Sequence, residues 1–141
     1  MKKYLSQLLI KLYKIIIWKE PCVIYSRYYE YRKNKNDFSW YINKESCPFC
    51  NYNKNFLIKE YNYFILLKNK FPYLETKEHV LLVPKRHIAY FYEFNKEEKE
   101  EYLEIIDELL KKGYFLLQRY YKYNKTSTVY HFHTHFILNK E

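Results

Sequence analysis

Three histidines stand at every second position in the run His131-Phe132-His133-Thr134-His135. In an extended chain alternate side chains share a face. The three imidazoles would therefore project together, roughly 6.5–7 Å apart, with Tyr130, Phe132 and Phe136 on the opposite side, available to pack under a helix. A row of imidazoles can bind a metal, move protons, or attack phosphorus or carbonyl centres. A second constellation is Cys47-Pro48-Phe49-Cys50. Thiolates at this spacing can share one tetrahedral metal ion or form a redox pair. A redox pair would want a strand leading into a helix start, and no helical pattern follows Cys50. A closed zinc site would need two more ligands. The third cysteine, Cys22, has no evident partner and reads as a small buried hydrophobe.

The elements that must hold these groups are legible in outline. The chain has 141 residues, the length of one domain. Its single glycine, Gly113, excludes a P-loop and a dinucleotide fingerprint, because both need several glycines for close backbone approach to phosphates. Residues 56–60 and 63–68 read as short strands around a tight turn, and 79–83 as a strand stopped by Pro84. Asn95 is a good N-cap for a long amphipathic helix over 96–123, with glutamates at its start and Lys111, Lys112 and Arg119 later, the order that complements a helix dipole. Residues 128–138 close the chain as a strand. The expected class is α+β: an antiparallel sheet with one long helix packed on it. Residues 1–46 read as an N-terminal helical extension and connector, ahead of a domain over 47–141.

The run 129–136 resembles the signature of the histidine triad (HIT) family, His-φ-His-φ-His-φ-φ with φ apolar. Thr134 is the one polar residue at an apolar position of that pattern. Upstream, His79-Val80-Leu81-Leu82-Val83-Pro84-Lys85-Arg86-His87 resembles the family's second motif. Asn69-Lys70-Phe71-Pro72-Tyr73 resembles its nucleotide-contacting turn. The likeness covers about residues 47–138 and points to a zinc-bearing, bacterial-type member. It implies a HIT-like fold and a nucleotide-binding hydrolase or transferase. Such an enzyme cleaves at the α-phosphate of a nucleotide conjugate, a dinucleoside polyphosphate or a nucleoside phosphoramidate, through a nucleotidyl-histidine intermediate. His133 would be the nucleophile. His135 and His79 would contact the phosphate or hold His133 in the right tautomer. Asn69 would bond the ribose, Thr128 would donate to the phosphate, and an aromatic wall near Phe64 would hold the base. The resemblance also implies that His87 and His131 join Cys47 and Cys50 around a structural zinc, and that the chain forms a homodimer.

Two other readings compete. One is a catalytically quiet nucleotide-binding or regulatory module that keeps the triad. The other is a zinc-knuckle nucleic-acid binder, suggested by a net charge of +9 and 22% aromatic residues. The charge comes from Lys far more than Arg, which fits A/T-rich codon usage better than phosphate recognition by the bidentate Arg fork. No nucleic-acid partner is expected. The apolar stretch 4–18 reads as a docking helix in preference to a membrane-surface helix, and it is too short to span a bilayer. An odd cysteine count without a secretion signal points to a reducing, cytoplasmic setting.

Overall fold

The computed structural model describes residues 44–45, 47–73, 75–118 and 129–140. The expected helix at 4–18, the connector, Cys22 and Thr128 lie outside them. Strands β1 (Leu57–Glu60), β2 (Phe64–Lys68) and β3 (Thr76–Pro84) are followed by helix α1 (Lys96–Lys111), then β4 (Phe115–Gln118) and β5 (Thr134–Asn139). The five strands form one antiparallel sheet in the order β1-β2-β3-β5-β4.

Period-two alternation in the strands sorts the side chains onto two faces. Phe64, Leu66, Val80, Leu82, Phe132 and Phe136 form one buried cluster with Tyr102, Ile105 and Leu109 of α1. Ile65, Leu67, Leu81 and Val83 form a second cluster, covered by Phe49, Tyr52 and Leu57. The helix starts where Asn95 accepts from the Glu98 amide at 2.8 Å and the Glu98 carboxylate accepts from the Asn95 amide at 2.9 Å. This is a reciprocal capping box. Among the described residues no helix is long and apolar enough to cross a membrane.

Three expectations are corrected. The helix does not run over 96–123: it ends at Lys111, and β4 occupies residues expected to be helical. The reason is Gly113, at φ +92°. Its amide and that of Tyr114 bond back to the carbonyls of Leu110 and Leu109, the left-handed C-terminal cap that glycine favours. The closing strand begins at Thr134, not 128, so His131 and His133 precede the ladder although their faces still alternate with Phe132 and Phe136. Tyr130 does not pack under the helix. Its ring lies against His87, at 6.4 Å between centroids, and against Tyr90, at 6.3 Å.

Candidate active site and metal centre

The Cys47–Cys50 turn is closed by the Asn51 amide on the Cys47 carbonyl at 3.0 Å. The Asn51 side chain also donates to the carbonyls of Lys44, Glu45 and Cys47. His87 follows the end of β3, and His131 lies on the approach to β5. These segments bring one donor atom from each of Cys47, Cys50, His87 and His131 within 4.8 Å of all the others. His131 Nδ1 is 3.3 Å from Cys47 Sγ and 3.5 Å from Cys50 Sγ. His87 Nδ1 is 3.3 Å from Cys50 Sγ and 3.2 Å from His131 Nδ1. With metal–nitrogen bonds of about 2.0–2.1 Å and metal–sulfur bonds of about 2.3 Å, a tetrahedron has N···N and N···S edges of about 3.3–3.6 Å. The quartet therefore fits a four-coordinate ion, with donors of the type zinc prefers. All four positions would be protein atoms, leaving none open for water.

The electrostatics agree with that fit. Burial holds the His131 imidazole down at about 3, so the ring is neutral. Its Nε2–H donates to the Pro84 carbonyl at 2.8 Å, which turns Nδ1 toward the thiols. Burial, and then the neighbouring Cys47, push the Cys50 thiol up to about 12. A dication would reverse that cost by stabilising the thiolate. The loop carrying His87 is anchored from behind. The Arg86 guanidinium grips both oxygens of the buried Glu98 carboxylate at 2.6 and 2.8 Å and reaches the Glu93 carbonyl. The Phe132 amide then bonds the Ile88 carbonyl at 2.6 Å, so the two histidine segments are fastened together.

Beside this quartet lies a histidine row. His133 is buried, and its Nδ1 is 2.8 Å from the His131 carbonyl. A carbonyl only accepts, so Nδ1 carries the proton and the lone pair of the neutral ring is on Nε2. His79 is set the other way. The Tyr73 amide donates to His79 Nδ1 at 3.0 Å, so the proton sits on Nε2. That Nε2 is 2.8 Å from His135 Nδ1, which must accept, leaving the His135 proton on its own Nε2. Two imidazoles with centroids 5.2 Å apart are thus held in opposite tautomers by main-chain groups. His133 presents a base or nucleophile, and His135 presents a donor.

Asn69 lies beside this row. Its Oδ1 accepts from the Phe71 amide at 3.0 Å, which turns the side-chain NH₂ toward His79, 3.4 Å from the accepting Nδ1. Phe64 does not meet it, which corrects its expected place in a base-binding wall. Its side chain is fully buried, packed on Phe94 and Tyr102 beneath α1, on the sheet face opposite the histidines. Strand parity put it there, since Phe64 shares the face of Leu66 and not that of Ile65 and Leu67. Two aromatic rings pack against the row. Phe49 lies 5.0 Å from His133 and 5.8 Å from His131, between centroids. The Tyr73 ring stacks on His135 at 5.8 Å and 19°. Phe49's position between the two cysteines was a usable signal. Tyr73 lay within the turn 69–73 that resembles the nucleotide-contacting one, but its stacking on His135 is set by the path of the loop between β2 and β3.

The fold recurs among solved histidine triad proteins. A HIT family hydrolase from Clostridium thermocellum is 27% identical, with a TM-score of 0.52 over 69% of this chain and 92% of that one. A histidine triad nucleotide-binding protein from Candida albicans is 24% identical, with a TM-score of 0.55 over 67% and 76%. A Zn-bound histidine triad family protein from Mycobacterium smegmatis, at 18% identity and a TM-score of 0.54 over 70% and 78%, shares the fold. No curated protein matches the chain in sequence. Residues 46–141 match the family model described as scavenger mRNA decapping enzyme C-term binding. With more than half its length inside that match and its sheet and helix arranged as in histidine triad proteins, the chain belongs to this family.

Proposed function

We propose that the protein is a nucleotide-binding hydrolase or transferase that works through a nucleotidyl-histidine on His133. His133 Nε2 attacks the α-phosphorus of a nucleotide conjugate. The P–N bond forms as the bond from phosphorus to the leaving group breaks, and the leaving group departs with the electron pair and takes up a proton. Water or another acceptor then attacks the same phosphorus, the P–N bond breaks, and the imidazole is restored. His135 Nε2–H serves as the adjacent donor to the phosphate, held in that tautomer by His79. Asn69 binds the ribose, and Thr128, outside the described residues, donates to the phosphate.

The observation that carries this reading is the bond from His133 Nδ1 to the His131 carbonyl, which puts the lone pair on Nε2. The family description adds support for the substrate class, because an mRNA cap is itself a phosphate-bridged nucleotide conjugate. A structural zinc on Cys47, Cys50, His87 and His131 belongs to the same proposal. It would brace the knuckle, the end of β3 and the approach to β5, with no part in bond breaking. A homodimer is supported by the exposed Leu103 and Leu110 of α1 and Phe115 and Leu116 of β4. The start of the family match at residue 46 supports a domain over 47–141. A thiol pair held for metal binding suits a reducing, cytoplasmic compartment.

The test is rapid quench with a labelled nucleoside phosphoramidate and a dinucleoside polyphosphate. An acid-labile, base-stable adduct is expected on wild type and absent from His133→Ala. Nucleotide binding without turnover or adduct in the wild type would instead show a quiet binding module.

A further inference from the structure

We propose that Tyr102, Thr134 and Gln118 form a positioning device that holds His133 for reaction. Thr134 stands where the triad pattern takes an apolar residue, and its side chain is fully buried between Phe132 and Phe136 in sequence. A hydroxyl in such a place is costly unless bonded, and here both its bonds are made. Thr134 Oγ1 donates to Gln118 Oε1 at 2.5 Å, so it accepts from the Tyr102 hydroxyl at 2.7 Å. With Oε1 committed as acceptor, the Gln118 amide turns its Nε2 to the His133 carbonyl, 3.1 Å away. The chain of donors runs one way, from α1 through β5 to β4 and back to the residue that precedes β5. Flipping the Gln118 amide would set oxygen against the His133 carbonyl and NH₂ against the Thr134 donor. The network therefore has one arrangement.

That arrangement bears on the reacting nitrogen. The His133 ring is oriented by the His131 carbonyl two residues back, so its tautomer depends on the main-chain path over 131–133. Gln118 pins that path at the His133 carbonyl. Register agrees, since Gln118 and Thr134 are direct partners across β4 and β5. Thr134 acts through Gln118 and touches no substrate: it is a positioning residue. The inference rests on the reading of His133 as nucleophile.

The test uses the full chain and the nucleoside phosphoramidate, with Thr134→Val, Thr134→Ser, Gln118→Glu and His133→Ala. Thr134→Val preserves shape and removes the hydroxyl. Its kcat should fall about 10–100-fold with KM within about twofold, as expected when a nucleophile is displaced by a fraction of an ångström. Thr134→Ser should recover most of the loss. Gln118→Glu keeps an acceptor for Thr134 and loses the donor to His133, so it should fall as far as Thr134→Val. Long-range ¹H–¹⁵N NMR of the imidazoles should show one Nδ1–H tautomer for His133 in the wild type and mixed tautomers in Thr134→Val and Gln118→Glu. Unchanged kcat with a single tautomer in the variants, a loss that falls on KM, or no recovery by serine would overturn the proposal. Should Thr134→Val fail to fold, Thr134→Ser and Gln118→Glu decide it. Turnover retained in His133→Ala would sink the nucleophile reading alone, and the NMR comparison would still decide the positioning claim.

Discussion

His131 and His133 are two residues apart, face the same way and are both buried, yet they offer opposite nitrogens. In His131 the Pro84 carbonyl takes the Nε2 proton and Nδ1 faces the thiols. In His133 the His131 carbonyl takes the Nδ1 proton and Nε2 keeps the lone pair. The chemistry of each ring is set by where the nearest carbonyl lies. The lesson extends to His79 and His135, whose tautomers follow from the Tyr73 amide. In the proposed function, a row of identical residues is thereby divided into metal ligand, nucleophile and donor, each by a main-chain group acting directly or through one neighbouring ring.

The largest effect expected is a clean separation of these two rings. His133→Ala should lower turnover by about 10⁴-fold or more, as for loss of a covalent step, while metal analysis still finds one zinc per chain. His135→Ala should cost less, about 10²–10⁴-fold. Zinc lost from His133→Ala, or turnover kept, would erase the division.

The reciprocal change acts on the quartet. Cys47→Ser should release the metal and destabilise the fold by several kcal/mol, since structural zinc binding is about 10–16 kcal/mol in small zinc domains. Thermal unfolding with and without a chelator measures this. Equal stability of the two proteins in the presence of zinc would break the assignment of His131 to a metal.

Phe64→Ala sharpens the contrast between both histidine groups and the face beneath α1. It should cost about 3–5 kcal/mol by denaturant unfolding, with KM for the nucleotide and zinc content unchanged under folding conditions. A raised KM with intact stability would return Phe64 to the substrate wall.

The smallest effect concerns the anchor behind His87. The Arg86 guanidinium holds the Glu98 carboxyl below the ordinary carboxylate range. Such a group contributes stability above its unfolded pKa of about 4.3 and loses it as pH falls through the lower folded value. The stability difference between wild type and Glu98→Gln should therefore be full near neutrality and shrink below about pH 4. Measured in chelator, to remove metal release from the comparison, a difference independent of pH would show that the ion pair contributes nothing.

Much of this was legible in the residues. Alternation in 131–136 separated imidazoles from phenyl rings, because extended backbone turns successive side chains to opposite faces whatever surrounds it. The N-cap was readable at Asn95, because capping is satisfied within four residues. Gly113 was readable in principle as a helix stop after Lys111-Lys112, but the apolar pattern beyond it continued a helical period and hid β4. Phe64 failed for want of parity: the sequence shows an aromatic residue in a strand and not which of two faces it takes.

The sequence by itself determined the candidate donors, three thiols and five imidazoles, and the alternation that gathers three of those rings on one side. Only the tertiary structure decided which nitrogen each ring presents, that Thr134 is bonded from both sides, and that Phe64 belongs to the core. Several of those outcomes depend on groups far along the chain, such as Pro84 for His131, 47 residues away, and Tyr102 for Thr134, 32 residues away. Contacts at that separation are created by the sheet and helix packing together, and no local pattern in the chain encodes them.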